Sequence, residues 1–290
     1  MCQGGYIHPE ESCPVLQLSA VSGREKDQMK LSLHIHSKYS HDSKASVGEI
    51  LEAAEKSGFD VIAITDHNTA AGGLEALKKQ RQKVAVIPAA EFSTQYGHVL
   101  AYFIDDSIEK DTPRVNERQF DFYRVVENVK RINGITILAH PYISGLKYNP
   151  EILDYVDGIE QYNSRLDSFL LKSSSQGFIK QFMGRDGFLY TGGSDAHSTE
   201  ELANCYMITS DFGLRPEEFA KALRCRSAIY YKKASNYAVA KAKLYNMKKV
   251  RPAYAVKNGI RLLYGAGEFV LNKITRCPEY EVIHIGEENQ

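Results

Sequence analysis

Leu31-Ser32-Leu33-His34-Ile35-His36 decides how the rest of the chain is read. Leu31, Leu33 and the β-branched Ile35 mark it as a short strand, and residues two apart in a strand point to the same face. His34 and His36 are therefore expected side by side. Neutral imidazole is the commonest protein ligand for metals such as zinc, so a pair held on a stiff element is a natural first half of a metal site. Taken alone, the pair fits a hydrogen-bonded surface or core position equally well, and its meaning depends on what surrounds it.

Upstream, residues 1–29 mix Gly, Pro, Ser and charges without periodicity and read as a loosely ordered extension. Downstream, Ser46-Val47-Gly48-Glu49 has the form of a capping box, and Val47, Ile50, Leu51 and Ala54 follow at helical spacing up to Gly58. Asp60 to Thr65 is a nearly continuous apolar strand of the kind buried on both faces in a parallel sheet. The pattern then repeats. Helices are expected around 73–82, 116–132, 169–183, 198–203 and 217–223, and strands at 84–92, 98–104, 135–139, 158–161 and 188–191. Alternating strands and helices of this number predict an α/β barrel of the TIM type or a close variant. Beyond about residue 225 the alternation stops. Fourteen Lys or Arg face a single acid, Glu268, between Lys221 and Arg276, with tyrosines interleaved and an Ala/Lys/Leu content that predicts helices. Residues 30–225 are accordingly read as the barrel and 226–290 as a basic C-terminal extension.

Composition bounds the function. With 290 residues, 43% of them hydrophobic, the chain can bury a full core, and its zero net charge argues against a general nucleic-acid coat. Five scattered cysteines without a CxxC pair read as reduced thiols. No uncharged apolar run of about 18 residues occurs. A cytoplasmic protein without a membrane partner is expected; the oligomeric state is left open.

The polar residues that interrupt the apolar strands recur at one place, the carboxyl end. Asp66-His67, Glu91, His140 and Asp195-Ala196-His197 all lie there, and a hairpin through Ser93–Gly97 would return His98 to the same rim. With His34, His36 and one of His41 or Asp42, six of the nine histidines converge. So many N and O donors exceed one tetrahedral zinc and suit two or three divalent ions sharing a carboxylate.

His34-Ile35-His36, Thr65-Asp66-His67, Glu91, Ala139-His140-Pro141 and Gly193-Ser194-Asp195-Ala196-His197, in this order, resemble the polymerase-and-histidinol-phosphatase (PHP) family of metal-dependent phosphoesterases, from about Lys30 to Leu223. The resemblance implies a distorted (β/α)7 barrel holding two or three manganese, zinc or iron ions. By the family's pattern His34, His36, Glu91 and Asp195 would hold one ion, Asp42, His67 and His197 a second, and Glu91, His98 and His140 a third. Asp42 is favoured over His41 because Tyr39-Ser40-His41-Asp42-Ser43 looks like one variant of the family's spacing.

Such a rim retains surplus positive charge after its three carboxylates, which suits a phosphate ester. Metal ions lower the pKa of bound water from ~15.7 toward ~7, so no protein nucleophile is needed. Glu91 and Asp195 are the expected catalytic carboxylates, with Asp66 either a proton donor or an acceptor that orients an imidazole. Arg165 and Lys38 are candidate phosphate clamps. The expected activity is hydrolysis of a small phosphorylated molecule. A nuclease that grips its polymer with the basic tail is the competing enzyme reading, and a non-catalytic metal-stabilised module is the third.

Overall fold

A computed structural model describes residues 27–79, 83–142, 150–166, 185, 187–225, 227–246, 252–275 and 280–285. In chain order the strands are β1 (Gln28–Ile35), β2 (Val61–Ile64), β3 (Ala85–Thr94), β4 (Gly97–Tyr102), β5 (Arg114–Asn116), β6 (Gln119–Phe120), β7 (Ile135–Ala139), β8 (Gly158–Asn163), β9 (Leu189–Gly193), β10 (Cys205–Ser210), β11 (Ser227–Tyr231) and β12 (Glu281–Ile285). The helices are α1 (Val47–Lys56), α2 (Ala71–Lys79), α3 (Ser107–Asp111), α4 (Phe122–Arg131), α5 (Pro216–Cys225), α6 (Asn236–Asn246) and α7 (Pro252–Thr275). The expected helix at 169–183 falls outside the described residues, as do residues 1–26.

The sheet runs β1-β2-β3-β4-β7-β8-β9, parallel except where β4 lies antiparallel between β3 and β7. It curls until Ala196, just past β9, bridges Ile35: His36 N–H donates to Ala196 O at 2.8 Å. The result is a nearly closed barrel. On the far side of β1 the sheet continues antiparallel through β10, β11 and β12, so strands from the C-terminal extension are hydrogen-bonded into the barrel's own sheet.

Strand alternation explains the layers. Leu31, Leu33, Ala63, Ala89, Leu100 and Ile137 share one cluster inside the curl, whereas Ile62, Ile64 and Val86 turn outward onto Val47, Ile50, Leu51 and Ala54 of α1. On the other flank Phe92, Val99 and Leu138 pack on Phe122, Val125 and Val129 of α4. The capping box at α1 forms as the sequence predicts, Ser46 accepting from Glu49 N–H while Glu49 accepts from Ser46 N–H.

One irregularity positions the site. Between Ser32 and Ile35, β1 advances three residues while β2 advances two, a β-bulge. Alternation is reversed there: Leu31 and Leu33 lie in the interior cluster, Ile35 joins the outer one, and His34 and His36 turn inward at the barrel's rim.

Candidate metal centre

His34 and His36 are both fully buried, and each imidazole is fixed through its Nδ1. His34 Nδ1 donates to Glu160 Oε1 at 2.8 Å. Ser40 gives its own proton to Asp66, so its Oγ accepts from His36 Nδ1 at 2.9 Å. His197 Nδ1 donates to the Asp195 carbonyl at 2.9 Å. These bonds leave the three Nε2 atoms as the metal-facing nitrogens, the arrangement that second partners impose on ligating histidines.

The donors converge. His34 Nε2 and His36 Nε2 lie 3.2 Å apart; His34 Nε2 is 3.6 Å from Glu91 Oε1 and 3.7 Å from Asp195 Oδ1. His36 Nε2 is 3.4 Å from Glu91 Oε2 and 3.1 Å from Asp195 Oδ1. A tetrahedral centre with bonds of about 2.0–2.2 Å has donor-to-donor edges of about 3.3–3.6 Å, close to the separations among His34, His36 and Asp195, with one or the other Glu91 oxygen near each histidine. Two facing imidazole nitrogens need a cation between them. Without a metal that cation is a proton. Burial opposes it, but Glu160, Asp195 and Glu91 raise the His34 pKa well above the usual value, whereas burial and then His197 and His67 push His36 down to about 3.

Beside this set, Asp42 lies between two further histidines, Oδ2 at 3.0 Å from His197 Nε2 and Oδ1 at 3.6 Å from His67 Nε2. Those histidines hold its carboxyl well below the ordinary carboxylate range despite burial. His41 is exposed, its ring 5.1 Å from that of His67. Glu91 lies at the middle of the whole array. Its Oε1 is 2.8 Å from His98 Nδ1 and 2.9 Å from His140 Nε2, and its Oε2 is 2.8 Å from His67 Nδ1. Glu91 Oε2 and His67 Nδ1 are nevertheless buried without a hydrogen bond. Burial works against charge on either, yet the neighbouring histidines hold Glu91 well below its usual pKa and the carboxylates lift His67 to about 10. A site that prefers protonated imidazoles beside ionised carboxylates is one that prefers cations.

Candidate ligand trios include His34, His36 and Asp195; His36, His67 and His197; His34, Glu91 and His140; and His67, Glu91 and His98. A fifth trio joins Asp42 to His67 together with His41, so each of the nine expected ligands falls in a trio and His41 stands beside Asp42 as a further donor, although His98 and His140 share Glu91 Oε1 from different trios. Two ligands sit on unusual backbone: Asp195 and His140 have φ of 51° and 28°, left-handed conformations that non-glycine residues adopt where surrounding structure holds them.

Asp66 is fully buried and accepts from Ser37 N–H (2.7 Å), Ser37 Oγ (2.6 Å) and Ser40 Oγ (2.7 Å); burial raises its pKa against those bonds. It fastens the loop after β1. Arg165 is buried and bonded to Glu201 at 2.5 Å, while Glu201 also accepts from His197 N–H at 3.0 Å. Lys38 is exposed and lies 3.3 Å from Glu75, outside the donor array.

Sequence reading missed Glu160 and Glu201. Glu160 accepts from His34, from His140 N–H at 3.0 Å and from Asn163 Nδ2 at 3.0 Å. Its signal was available: a lone acid inside a buried strand, as for Glu91. Gly193 leaves it room, since a Cβ there would sit 1.9 Å from Glu160 Oε1.

The PHP domain family matches residues 32–211. An uncharacterized protein of Methanocaldococcus jannaschii is 34% identical over 150 residues, spanning 47% of this chain and 82% of that one. The fold is similar to that of PsfC from Pseudomonas syringae PB-5123, with a TM-score of 0.56 at 15% identity over 76% of this chain and 98% of the other. A two-domain Bacteroides vulgatus protein containing a predicted PHP-like metal-dependent phosphoesterase gives 0.52 at 15% identity, over 80% and 76% of the two chains. Endonuclease Q bound to a 27-mer duplex with an abasic lesion gives 0.52 at 17% identity, over 68% of this chain and 56% of that one.

Proposed function

The chain belongs to the PHP domain family, whose activity is metal-dependent hydrolysis of phosphoester bonds, and on that premise we propose that it cleaves a small phosphorylated molecule at a di- or trinuclear centre. The observation that carries this reading is Glu91, a buried carboxylate in contact with His34, His36, His67, His98 and His140 at once. His34, His36, Glu91 and Asp195 would hold one ion, Asp42, His67 and His197 a second, and Glu91, His98 and His140 a third; manganese, zinc and iron all suit this imidazole and carboxylate set. When bound, such ions polarise phosphoryl oxygens and acidify water.

The chain's own residues supply orientation. Glu160 and Ser40 hold His34 and His36 with Nε2 inward, Glu201 holds the His197 backbone, and Asp66 fixes the loop that carries Asp42. Glu91 and Asp195 act on the substrate by setting the charge of the centre, and Arg165 adds a guanidinium near it. Lys38, paired with Glu75 on the α2 side, serves the surface. A small substrate is supported by α6, which crosses beside the rim: Lys241 Nζ bonds Glu200 at 2.9 Å and Lys44 bonds the Tyr245 carbonyl. Manganese-loaded protein should release phosphate from p-nitrophenyl phosphate, and EDTA should abolish the release. Activity indifferent to EDTA would refute the assignment.

The basic extension favours one second reading, a nuclease. Because β11 and β12 belong to the barrel's sheet, substitution of exposed lysines such as Lys257 tests it better than truncation. A nuclease should lose oligonucleotide cleavage steeply with added salt.

A further inference from the structure

We propose that the outer face of α7 is a self-association surface, on which a second copy of this chain lays the same helix antiparallel across a two-fold axis.

Helix α7 is 24 residues long, and the two sides of its first four turns differ. On one side Asn258, Arg261 and Gly265 are buried, and an added Cβ at Gly265 would lie 2.2 Å from the Tyr237 nitrogen of α6. The opposite side is apolar and open. Val256, Ile260 and Leu263 are 63%, 59% and 78% exposed, Ala253 is exposed with them, and Leu263 is the most exposed large hydrophobic side chain among the described residues. Single apolar side chains in water need no explanation, but a contiguous strip along a helix marks a contact surface.

The spacing of the strip selects another helix as its cover. Ala253, Val256, Ile260 and Leu263 follow one another at intervals of three, four and three, the 3.5-residue period with which one helix packs along a second. A helix that lies on an anionic membrane carries rows of lysine and arginine beside its apolar face. Here Lys257 is the one exposed cation among the described side chains of α7. Ala253, Val256, Lys257 and Ile260 also frame, with Arg261, a hollow of about 370 Å³. Residues at i, i+3, i+4 and i+7 are the four corners of the hole that receives one side chain of a facing helix.

Self-complementarity identifies the occupant. With a two-fold axis level with Asn258, the partner's Ile260 enters the hollow beside Val256, and the partner's Leu263 lies against Ala253, large against small. Both contacts recur in reverse, as an isologous interface requires. Gly259, beside the axis, puts no side chain between the two backbones, and an added Cβ there has nothing within 4 Å. The paired strip, from 252 to 264, is about 18 Å long. Its area lies at or below the ~1,200 Å² of stable specific interfaces, which makes a weak dimer with a dissociation constant in the micromolar range or above. The two Lys257 ammonium groups meet near the axis and weaken it further.

The test is sedimentation equilibrium of the full-length chain from about 1 to about 500 µM. Dimer should form as concentration rises and should strengthen when salt is raised from about 50 to about 500 mM, because screening relieves the paired lysines. Leu263→Glu should weaken association at least ~30-fold, whereas Lys257→Gln should strengthen it about threefold, both with unchanged melting. Under oxidising conditions a mixture of Val256→Cys and Ile260→Cys proteins should cross-link faster than either alone, since the antiparallel register brings those two positions together. A monomer at every concentration overturns the proposal. So does a dimer that Leu263→Glu leaves intact, or one in which Val256→Cys alone cross-links fastest. Binding of the monomer to vesicles of phosphatidylserine and phosphatidylcholine in equal parts, lost in Lys257→Gln, also overturns it and assigns the face to an anionic membrane.

Discussion

Glu160 stands behind the candidate ligands rather than among them. It accepts from His34 Nδ1, fixing which nitrogen faces inward, and accepts from the His140 backbone. Glu160→Gln keeps the shape but weakens the His34 hydrogen bond, and metal affinity measured by competition with a chelator should fall about 10–100-fold. Gly193→Ala should do the same by displacement, since its Cβ would collide with Glu160 Oε1. Proton linkage follows from the same residues. Against burial, the carboxylates raise His34 above its usual value and bring His67 to about 10, so His67 is protonated at neutral pH in the metal-free protein and His34 is biased the same way. Binding must displace those protons, and affinity should rise with pH from neutrality toward 10. Calorimetry in buffers of different ionisation enthalpy should show net proton release at pH 7; none released contradicts the assignment.

At the scale of elements, the first strand was legible only in part. Its alternation places His34 and His36 on one face, which holds, but assigns Leu33 and Ile35 to a common opposite face, which the bulge prevents. No Gly or Pro marks that bulge, because it is stabilised by bonds to distant partners, Thr65 and Ala196. The carboxyl-end rule located the donors because it follows from the topology of parallel strands, and it found Glu91 and Asp195 for that reason. Strand β10 went unrecognised, and so did the pairing of β11 and β12: in Cys205–Ser210 half-buried Tyr206 and Ile208 alternate with buried neighbours, hiding the period-two pattern. The cap of α1 was readable since it is wholly local. Ser46→Ala should cost about 1 kcal/mol, read as a lower melting midpoint with metal content unchanged.

At the scale of the molecule, the barrel gathers residues from β1, β3, β4 and the ends of β2, β7 and β9 around one carboxylate, while apolar strands form the core beneath it. Folding and metal binding should therefore be separable: the core is complete without ions, and the ions need the rim. Glu91 distinguishes a shared multinuclear centre from a set of unconnected rim residues, because among the described residues it alone touches five histidines. Elemental analysis of Glu91→Gln, refolded and saturated with manganese, is the most direct measurement. The account predicts a folded barrel that has lost at least two ions per chain and nearly all phosphatase activity, whereas His140→Ala loses one ion. Full metal content and full turnover in Glu91→Gln would contradict it.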